Sequence, residues 1–168
     1  MAVIGKYFLI KQCSNMANMP KIISSANDPP NKAADISVFC VKEAKNVNYP
    51  DFIESPLHAF SDEFKSVIEI YNQKREYKAV VLVEEEKQVS RLYWRIELPD
   101  IQCLDESSEY YPDKTIKKIV INSAATRGES IFKIKNKLRT IYVTRLELLE
   151  SALRRNICSF DTEELESV

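Results

Sequence analysis

The chain of 168 residues contains only two glycines, Gly5 and Gly128, and they lie far apart. Loops that cradle a phosphate need glycine, because only a residue without Cβ lets the backbone approach the phosphate in a left-handed conformation. The sequence therefore has neither the GxGxxG pattern of dinucleotide-binding folds nor the GxxxxGK[ST] pattern of P-loop proteins. Folds that bind nucleotides through these loops are excluded in their usual forms.

Residues that carry enzymatic chemistry are also sparse. Histidine is a common general base and zinc ligand, but His58 is the single histidine and lies outside any HExxH or HxE pattern. No CxxC pair occurs among the four cysteines, which are Cys13, Cys40, Cys103 and Cys158. We therefore expect no catalytic residue, no metal and no cofactor, and a protein that is not an enzyme.

Nothing in the sequence indicates secretion or membrane insertion. The N-terminal residues lack a basic region followed by a long apolar run, which a secretory leader would contain. The longest uninterrupted apolar run, residues 79–83, is far too short to cross a bilayer. We expect reduced thiols and a cytoplasmic protein without membrane contacts.

Apolar periodicity predicts two amphipathic helices, at about 61–74 and 144–156. Ser61 is a favourable N-cap for the first helix. Its apolar stripe is formed by Phe64, Val67, Ile68 and Tyr71. Thr144 and Glu147 have the spacing of a capping box for the second helix.

Strands are predicted at 7–13, 36–41, 77–83, 90–98, 116–122, 130–135 and 140–143. The strand at 77–83 is expected to be covered on both faces, because residues 79–83 are apolar in succession. Residues 157–160 are expected as an edge strand before an acidic tail. The order of elements predicts one α+β domain over 1–168, with a mainly antiparallel sheet and a loop-rich N-terminal part at about 14–57.

Charge is segregated within the second half of a chain whose formal net charge is only −1. Residues 97–113 contain six carboxylates and no Lys or Arg, whereas residues 114–145 contain nine basic residues and one carboxylate. The acidic loop 105–113 also contains adjacent tyrosines. Aromatic side chains supply buried area in protein interfaces and charges steer association. The residues that we expect to bind a protein partner are Asp105, Glu106, Glu109, Tyr110 and Tyr111.

Other interpretations of these segments are open. The acidic loop is also compatible with a solvated loop that buries one tyrosine, or with acid–base chemistry by Asp105 and Glu109. The basic stretch 114–145 could contact phosphates as part of a nucleic-acid-associated regulator. Its contacts would come from Lys114, Lys117, Lys118 and Arg127. Lysines alternate with apolar residues in 133–137, as on a strand with one solvated face, so nucleic-acid binding is not favoured.

Four short motifs carry a family resemblance: LYWRI at 92–96, QCLD at 102–105, SIFKI at 130–134 and IYVT at 141–144. With the leucine-rich helix and Phe160 that follow, residues 60–160 resemble a family of bacterial immunity proteins of polymorphic toxin systems. Such proteins often have glycine after the last helix, where this chain has Asn156. The resemblance implies a cytosolic antidote that binds and occludes a toxin made by the same cell, and it implies no catalytic residues.

Overall fold

The structure is a computed structural model that describes residues 5–23, 35–42, 45–71, 74–136 and 139–168. It divides into two compact units, which are discontinuous in sequence. Unit 1 comprises Met1–Lys11, Leu98–Asn156 and Asp161–Val168, and unit 2 comprises Gln12–Glu97 and Ile157–Phe160. The expectation of one domain over residues 1–168 stays a prediction.

The two predicted helices are present, and the α+β class is confirmed. Helix α1 spans Asp62–Tyr71 and helix α2 spans Leu146–Leu153. Helix α2 begins later and ends earlier than the apolar periodicity predicts. Helix α1 begins at Asp62, and residues 72–73 of its predicted span lie outside the described residues. The hydroxyl of Ser61 accepts a hydrogen bond from the backbone N–H of Phe64 at 3.2 Å, which confirms Ser61 as the N-cap of α1.

The predicted capping box of α2 is wrong. Thr144 belongs to a strand and is fully buried, and its hydroxyl donates to the carbonyl of Ser130 at 3.2 Å. The N-cap is Arg145, which makes no side-chain cap hydrogen bond. The guanidinium of Arg145 instead pairs with Glu147 at 3.2 Å. Strand pairing outweighs the local capping preference here, since it satisfies the backbone of Thr144 within a sheet.

Unit 1 contains a five-stranded sheet with the order β10-β13-β1-β12-β11. Its strands are β1 Tyr7–Gln12, β10 Val120–Ile121, β11 Ile131–Asn136, β12 Arg139–Arg145 and β13 Phe160–Ser167. A separate hairpin is formed by β8 Glu109–Tyr110 and β9 Ile116–Lys118. Strand β12 pairs antiparallel with β1 and β11, whereas β10 and β13 are parallel. The predicted single strand at 116–122 is therefore two strands, β9 and β10, in different sheets.

Residues 99–105 pair with both edge strands of this sheet. The backbone N–H of Lys133 in β11 donates to the carbonyl of Pro99 at 2.9 Å, and that of Asp105 donates to the carbonyl of Val120 in β10 at 2.9 Å. Isolated bridges join Asp100 to Lys133 and Leu104 to Ile121. One connecting segment thus protects both edges from further pairing.

Strand β13 corrects the prediction for the C-terminal residues. An edge strand at 157–160 followed by a tail was expected, but the acidic residues themselves form β13, between β10 and β1. Three of its glutamates pair with lysines elsewhere in unit 1. These pairs are Glu163 with Lys11 at 2.8 Å, Glu164 with Lys6 at 3.6 Å and Glu166 with Lys118 at 2.8 Å. Pairing with β10 and β1 and the burial of Leu165 outweigh the low strand propensity of this segment.

Unit 2 contains a six-stranded sheet with the order β2-β3-β6-β7-β5-β4. The strands are β2 Lys21–Ile23, β3 Ile36–Lys42, β4 Phe52–Ile53, β5 Ala59–Ser61, β6 Tyr77–Glu84 and β7 Val89–Ile96. Strands β3 and β6 are parallel, and the other pairs are antiparallel. Strands β2, β3 and β4 lie within the predicted loop-rich part at 14–57, of which residues 24–34 and 43–44 lie outside the described residues.

The two faces of the sheet in unit 2 are covered differently. One face carries the buried cluster Phe39, Val41, Val80, Leu82 and Tyr93, against which Tyr49 and Leu57 pack. On the opposite face, Phe64 of α1 contacts the rings of Phe60 and Phe160, with centroid distances of 5.3 and 5.0 Å. Helix α1 therefore packs over the β4–β5 end of that face.

Candidate protein-binding surfaces

The five residues predicted to bind a partner lie in or next to the hairpin of β8 and β9. Asp105 is half-buried, whereas Glu106 and Glu109 are exposed. Tyr110 and Tyr111 are 52% and 51% exposed, so neither tyrosine is tucked into the core. We call residues 105–118 the hairpin surface. The structure brings the five predicted residues together there.

Short hydrogen bonds hold both ends of the acidic loop. The carboxylate of Asp105 accepts from the backbone N–H and the hydroxyl of Ser107, at 3.0 and 2.6 Å. Asp113 accepts in the same way from Thr115, at 2.9 and 2.6 Å. These bonds lower the pKa of both aspartates and fix the turns that present the tyrosines.

Ser108 anchors the middle of the loop. It is a buried serine whose hydroxyl exchanges hydrogen bonds with the backbone of Val120, donating to its carbonyl at 3.2 Å and accepting from its N–H at 3.1 Å. The loop that carries Tyr110 and Tyr111 is thus tied to strand β10. A loop ordered in this way loses less conformational entropy when it binds a partner.

The acidic and basic blocks of the sequence are neighbours in space and partly neutralise each other. Glu109 lies opposite Lys118 in the β8–β9 register and pairs with Lys117 at 2.8 Å. The hydrogen bond from Lys117 lowers the pKa of Glu109. Lys118 in turn pairs with Glu166. The hairpin surface therefore presents less free negative charge than its sequence predicts.

The same ion pairs bear on the alternative prediction of a phosphate-binding surface. Lys117 and Lys118 each pair with a glutamate, and Lys135 pairs with Asp100 at 3.2 Å. Lys114 and Arg127 occupy turns with positive φ, 67° and 55°. Three lysines of the basic stretch are thus engaged within the chain, which disfavours this surface as a binding site for nucleic acid.

A cleft of about 680 Å³ lies between β9 and the five-stranded sheet of unit 1. Its apolar lining includes Leu9, Ile116 and Ile141, and its charged lining includes Lys11, Lys118, Glu163 and Glu166. These four charged residues form two ion pairs, Lys11 with Glu163 and Lys118 with Glu166. The cleft therefore combines an apolar lining with charges that neutralise each other.

A second exposed surface, which the sequence analysis missed, lies on unit 2. Residues with side chains on the same face are in register across three strands: Val38 of β3 lies opposite Val81 of β6, which lies opposite Leu92 of β7. Ile36 and Ile23 extend this face along β3 and β2. Ile36 is 64% exposed, Val38 58%, Ile23 50% and Leu92 41%. We call Ile23, Ile36, Val38, Val81 and Leu92 the open face.

One end of the open face borders α1 through an aromatic and charged cluster. The indole N–H of Trp94 donates to the carboxylate of Asp62 at 2.6 Å. The ammonium of Lys65 lies 4.7 Å from the centroid of the Trp94 ring and 4.8 Å from that of Tyr77, and it pairs with Glu69. Helix α1 thus covers the sheet as far as Trp94, and the open face begins beyond it.

The open face corrects one prediction about β6. Its run of apolar residues predicted a strand covered on both faces, and Val80 and Leu82 are indeed buried on one of them. On the other face Ala79, Val81 and Val83 are only partly buried. The apolar run is a signal for this surface, but a sequence does not tell which partner covers the second face.

Cys13, Cys40, Cys103 and Cys158 are free thiols, and burial raises the pKa of Cys103 to about 11. In the ranges that the structure describes, no group of three or more His, Cys, Asp or Glu side chains could hold a metal ion. The described helices include none that is long and apolar enough to span a membrane.

Comparison with models of protein families and with curated proteins finds no match to the chain. The resemblance to immunity proteins stays a prediction from four short motifs.

Proposed function

We propose that the chain binds a protein partner and acts by covering it, without transforming a substrate. The observation that carries this proposal is the pair of adjacent, half-exposed tyrosines on a loop held by side-chain hydrogen bonds, in which the carboxylates of Asp105 and Asp113 accept and the hydroxyl of Ser108 donates. Tyrosine contributes large amphipathic contact area with few rotatable bonds. A pre-ordered loop with two such side chains has the properties of an interface anchor.

The partner that we propose is a toxin domain produced by the same cell. This part of the proposal rests on the resemblance of residues 60–160 to immunity proteins, which inhibit by occlusion. An interface of this kind buries about 800 Å² on each partner. Carboxylates that surround the tyrosines, chiefly Glu106, would favour a partner with basic residues at its active site.

Capture with the tagged full chain from its native host tests the proposal. We expect one partner to co-purify with the wild-type chain. The Tyr110→Ala/Tyr111→Ala variant should capture at least about tenfold less of this partner, as expected when interface hot spots are removed. Tyr71→Ala is the matched control, because Tyr71 is also exposed but lies on α1, in unit 2.

Two results would contradict the proposal. Equal capture by the hairpin variant and the control would remove the hairpin surface as the binding site. Turnover of a substrate by the purified chain that is lost on a single substitution would show an enzyme. If the captured partner is a toxin, co-expression of the wild-type chain should restore growth, and the hairpin variant should not.

A further inference from the structure

The open face is a contiguous apolar surface on the middle of a sheet. Its rows cross β3, β6 and β7, and four of its five side chains are at least 41% exposed. Scattered apolar residues are normal at protein surfaces, but a contiguous apolar patch marks an interaction site. This face lies in unit 2, whereas the hairpin surface lies in unit 1.

Strand β6 has the sequence of a strand that is covered on both sides. It lies inside the sheet, between β3 and β7, and residues 79–83 are all apolar. Strands with continuous apolar runs occur where both faces of a sheet are packed. Among the described residues of β6 only Val80, Leu82 and Glu84, on one face, are buried, and α1 covers the other face only at its β4–β5 end. The open face therefore fits a surface that another molecule covers.

Two lysines lie at one end of the open face. Lys21 of β2 and Lys42 of β3 are directly opposite each other in the antiparallel register, and both are exposed. Within the described ranges no carboxylate is at ion-pair distance from either of them. The carboxylate of Glu85 bonds instead to a cysteine, since it accepts a hydrogen bond from the Cys40 thiol at 3.4 Å. Like charges directly opposite on neighbouring strands are destabilising, and an anionic group between them would relieve the repulsion.

We propose that the open face docks an amphipathic protein segment with carboxylates at one end, whose apolar side chains pack on Val38, Val81 and Leu92 while the carboxylates pair with Lys21 and Lys42. Charge complementarity selects this occupant. A second copy of the chain would offer the same apolar side chains and two more lysines. An anionic membrane would meet Asp62 and Glu69 near Trp94, at the other end of the face.

Trp94 provides the readout, because it is the single tryptophan of the chain and borders the open face. The probe is a short synthetic peptide with one apolar face and glutamates at one end, titrated into the full chain. We expect a saturable change in tryptophan fluorescence. A peptide with lysines in place of the glutamates should bind about tenfold more weakly or worse, since it places like charges together.

Variants of the chain assign the effect to this face. Lys21→Glu/Lys42→Glu should reverse the preference, so that the lysine peptide binds more tightly than the glutamate peptide. Val38→Asp should abolish binding of both peptides. The exposure of Val38 makes misfolding unexpected, and an unchanged thermal unfolding temperature checks this. Val38→Thr keeps the shape of the side chain, so it tests the apolar contact again if Val38→Asp unfolds.

Several results would overturn the proposal. These are no saturable response to the glutamate peptide, equal affinity for both peptides, a concentration-dependent dimer that Val38→Asp dissociates, and binding to anionic vesicles without binding to the peptide. Protection of the side chains of Val38 and Leu92 from labelling in the isolated monomer would show that the chain covers the face itself. None of these outcomes depends on Tyr110 or Tyr111, so the proposal fails or stands separately from the proposed function.

Discussion

The hairpin surface and the open face differ in how their polar groups are satisfied. At the hairpin surface the carboxylates of Asp105 and Asp113 accept hydrogen bonds from nearby residues, and Glu109 pairs with Lys117. At the open face the apolar side chains are exposed and Lys21 and Lys42 lie side by side. The hairpin surface is ordered by hydrogen bonds and ion pairs within the chain. The apolar side chains of the open face are instead available for contacts with another molecule. A surface of the first kind favours specific binding with little reordering, and one of the second kind favours burial of apolar area.

The largest effect is expected where the covered and open faces of the sheet in unit 2 are compared directly. Leu82→Ala truncates a side chain with no exposed area and should lower the free energy of unfolding by about 2–5 kcal/mol. Leu92→Ala truncates a leucine on the neighbouring strand that is 41% exposed, and the loss should be about 1 kcal/mol or less. Urea unfolding of both variants beside the wild type measures the difference.

The same two variants test whether the open face is exposed in solution. If Leu92→Ala costs as much as Leu82→Ala in a dilute monomer, then Leu92 is buried in solution and the open face is not open. If the cost of Leu92→Ala rises only when the glutamate peptide is present, the ligand is what buries Leu92, since a ligand stabilises the state that it binds.

The contrast between the two surfaces also explains what the sequence could predict. Both helices and the strands β1, β3, β6, β7, β11 and β12 follow from apolar periodicity, because period 3.6 and period 2 are local properties of the chain. The exposure of Tyr110 and Tyr111 accords with their neighbours in the acidic loop. The open face could not be predicted from apolar periodicity, because its side chains come from four strands whose register only the fold establishes.

Strand β13 was missed for a related reason. Its residues are mostly acidic, and only Phe160 and Leu165 are buried. What places it in the sheet is strand pairing with β10 and β1 and the packing of Leu165 in the same buried cluster as Leu9 and Ile121, which are distant in sequence. The Thr144 capping box failed because Thr144 had a competing place in β12. Local sequence patterns predict helices and strands well where no residue distant in sequence competes. In β13 and at Thr144, contacts with residues distant in sequence determine the structure.

A smaller effect is expected at Glu84, the buried carboxylate at the end of β6. Its side chain accepts hydrogen bonds from the hydroxyl of Tyr49 at 2.5 Å and the ammonium of Lys87 at 2.7 Å. The bond from Lys87, and then that from Tyr49, lower the pKa of Glu84 below its ordinary value of 4.5. Because the folded state holds the charged form more tightly, this carboxylate stabilises the fold above pH 4.5 and less as the pH falls further.

Glu84→Gln should therefore be less stable than the wild type at neutral pH, and the difference should shrink as the pH falls below 4.5. Thermal unfolding at a series of pH values measures this. Tyr49→Phe is the matched variant, because it removes one of the two hydrogen bonds and keeps the ring that lies under Arg91. It should show part of the same pH dependence. A constant difference between Glu84→Gln and wild type across this range would show that the charge of Glu84 does not stabilise unit 2.

The smallest effect on stability is expected from the Glu109–Lys117 pair of the hairpin surface. Both side chains are about half exposed, and exposed ion pairs contribute little to stability because water and salt screen them. Glu109→Gln and Lys117→Met should leave the unfolding curve nearly unchanged. Their effects on association with a basic partner should instead be opposite in sign, since the first removes a negative charge and the second leaves Glu109 unneutralised.

Stopped-flow association with the captured partner measures these rates at low and high salt. At low salt Lys117→Met should bind faster than the wild type and Glu109→Gln more slowly, and high salt should bring the three rates together. Because the two variants should have nearly equal stability, a difference in their association rates would report electrostatic steering and not a change in folding. Equal rates at low salt would mean that the charges of the hairpin serve only to order the loop, and that the contacts of Tyr110 and Tyr111 alone would have to hold the partner.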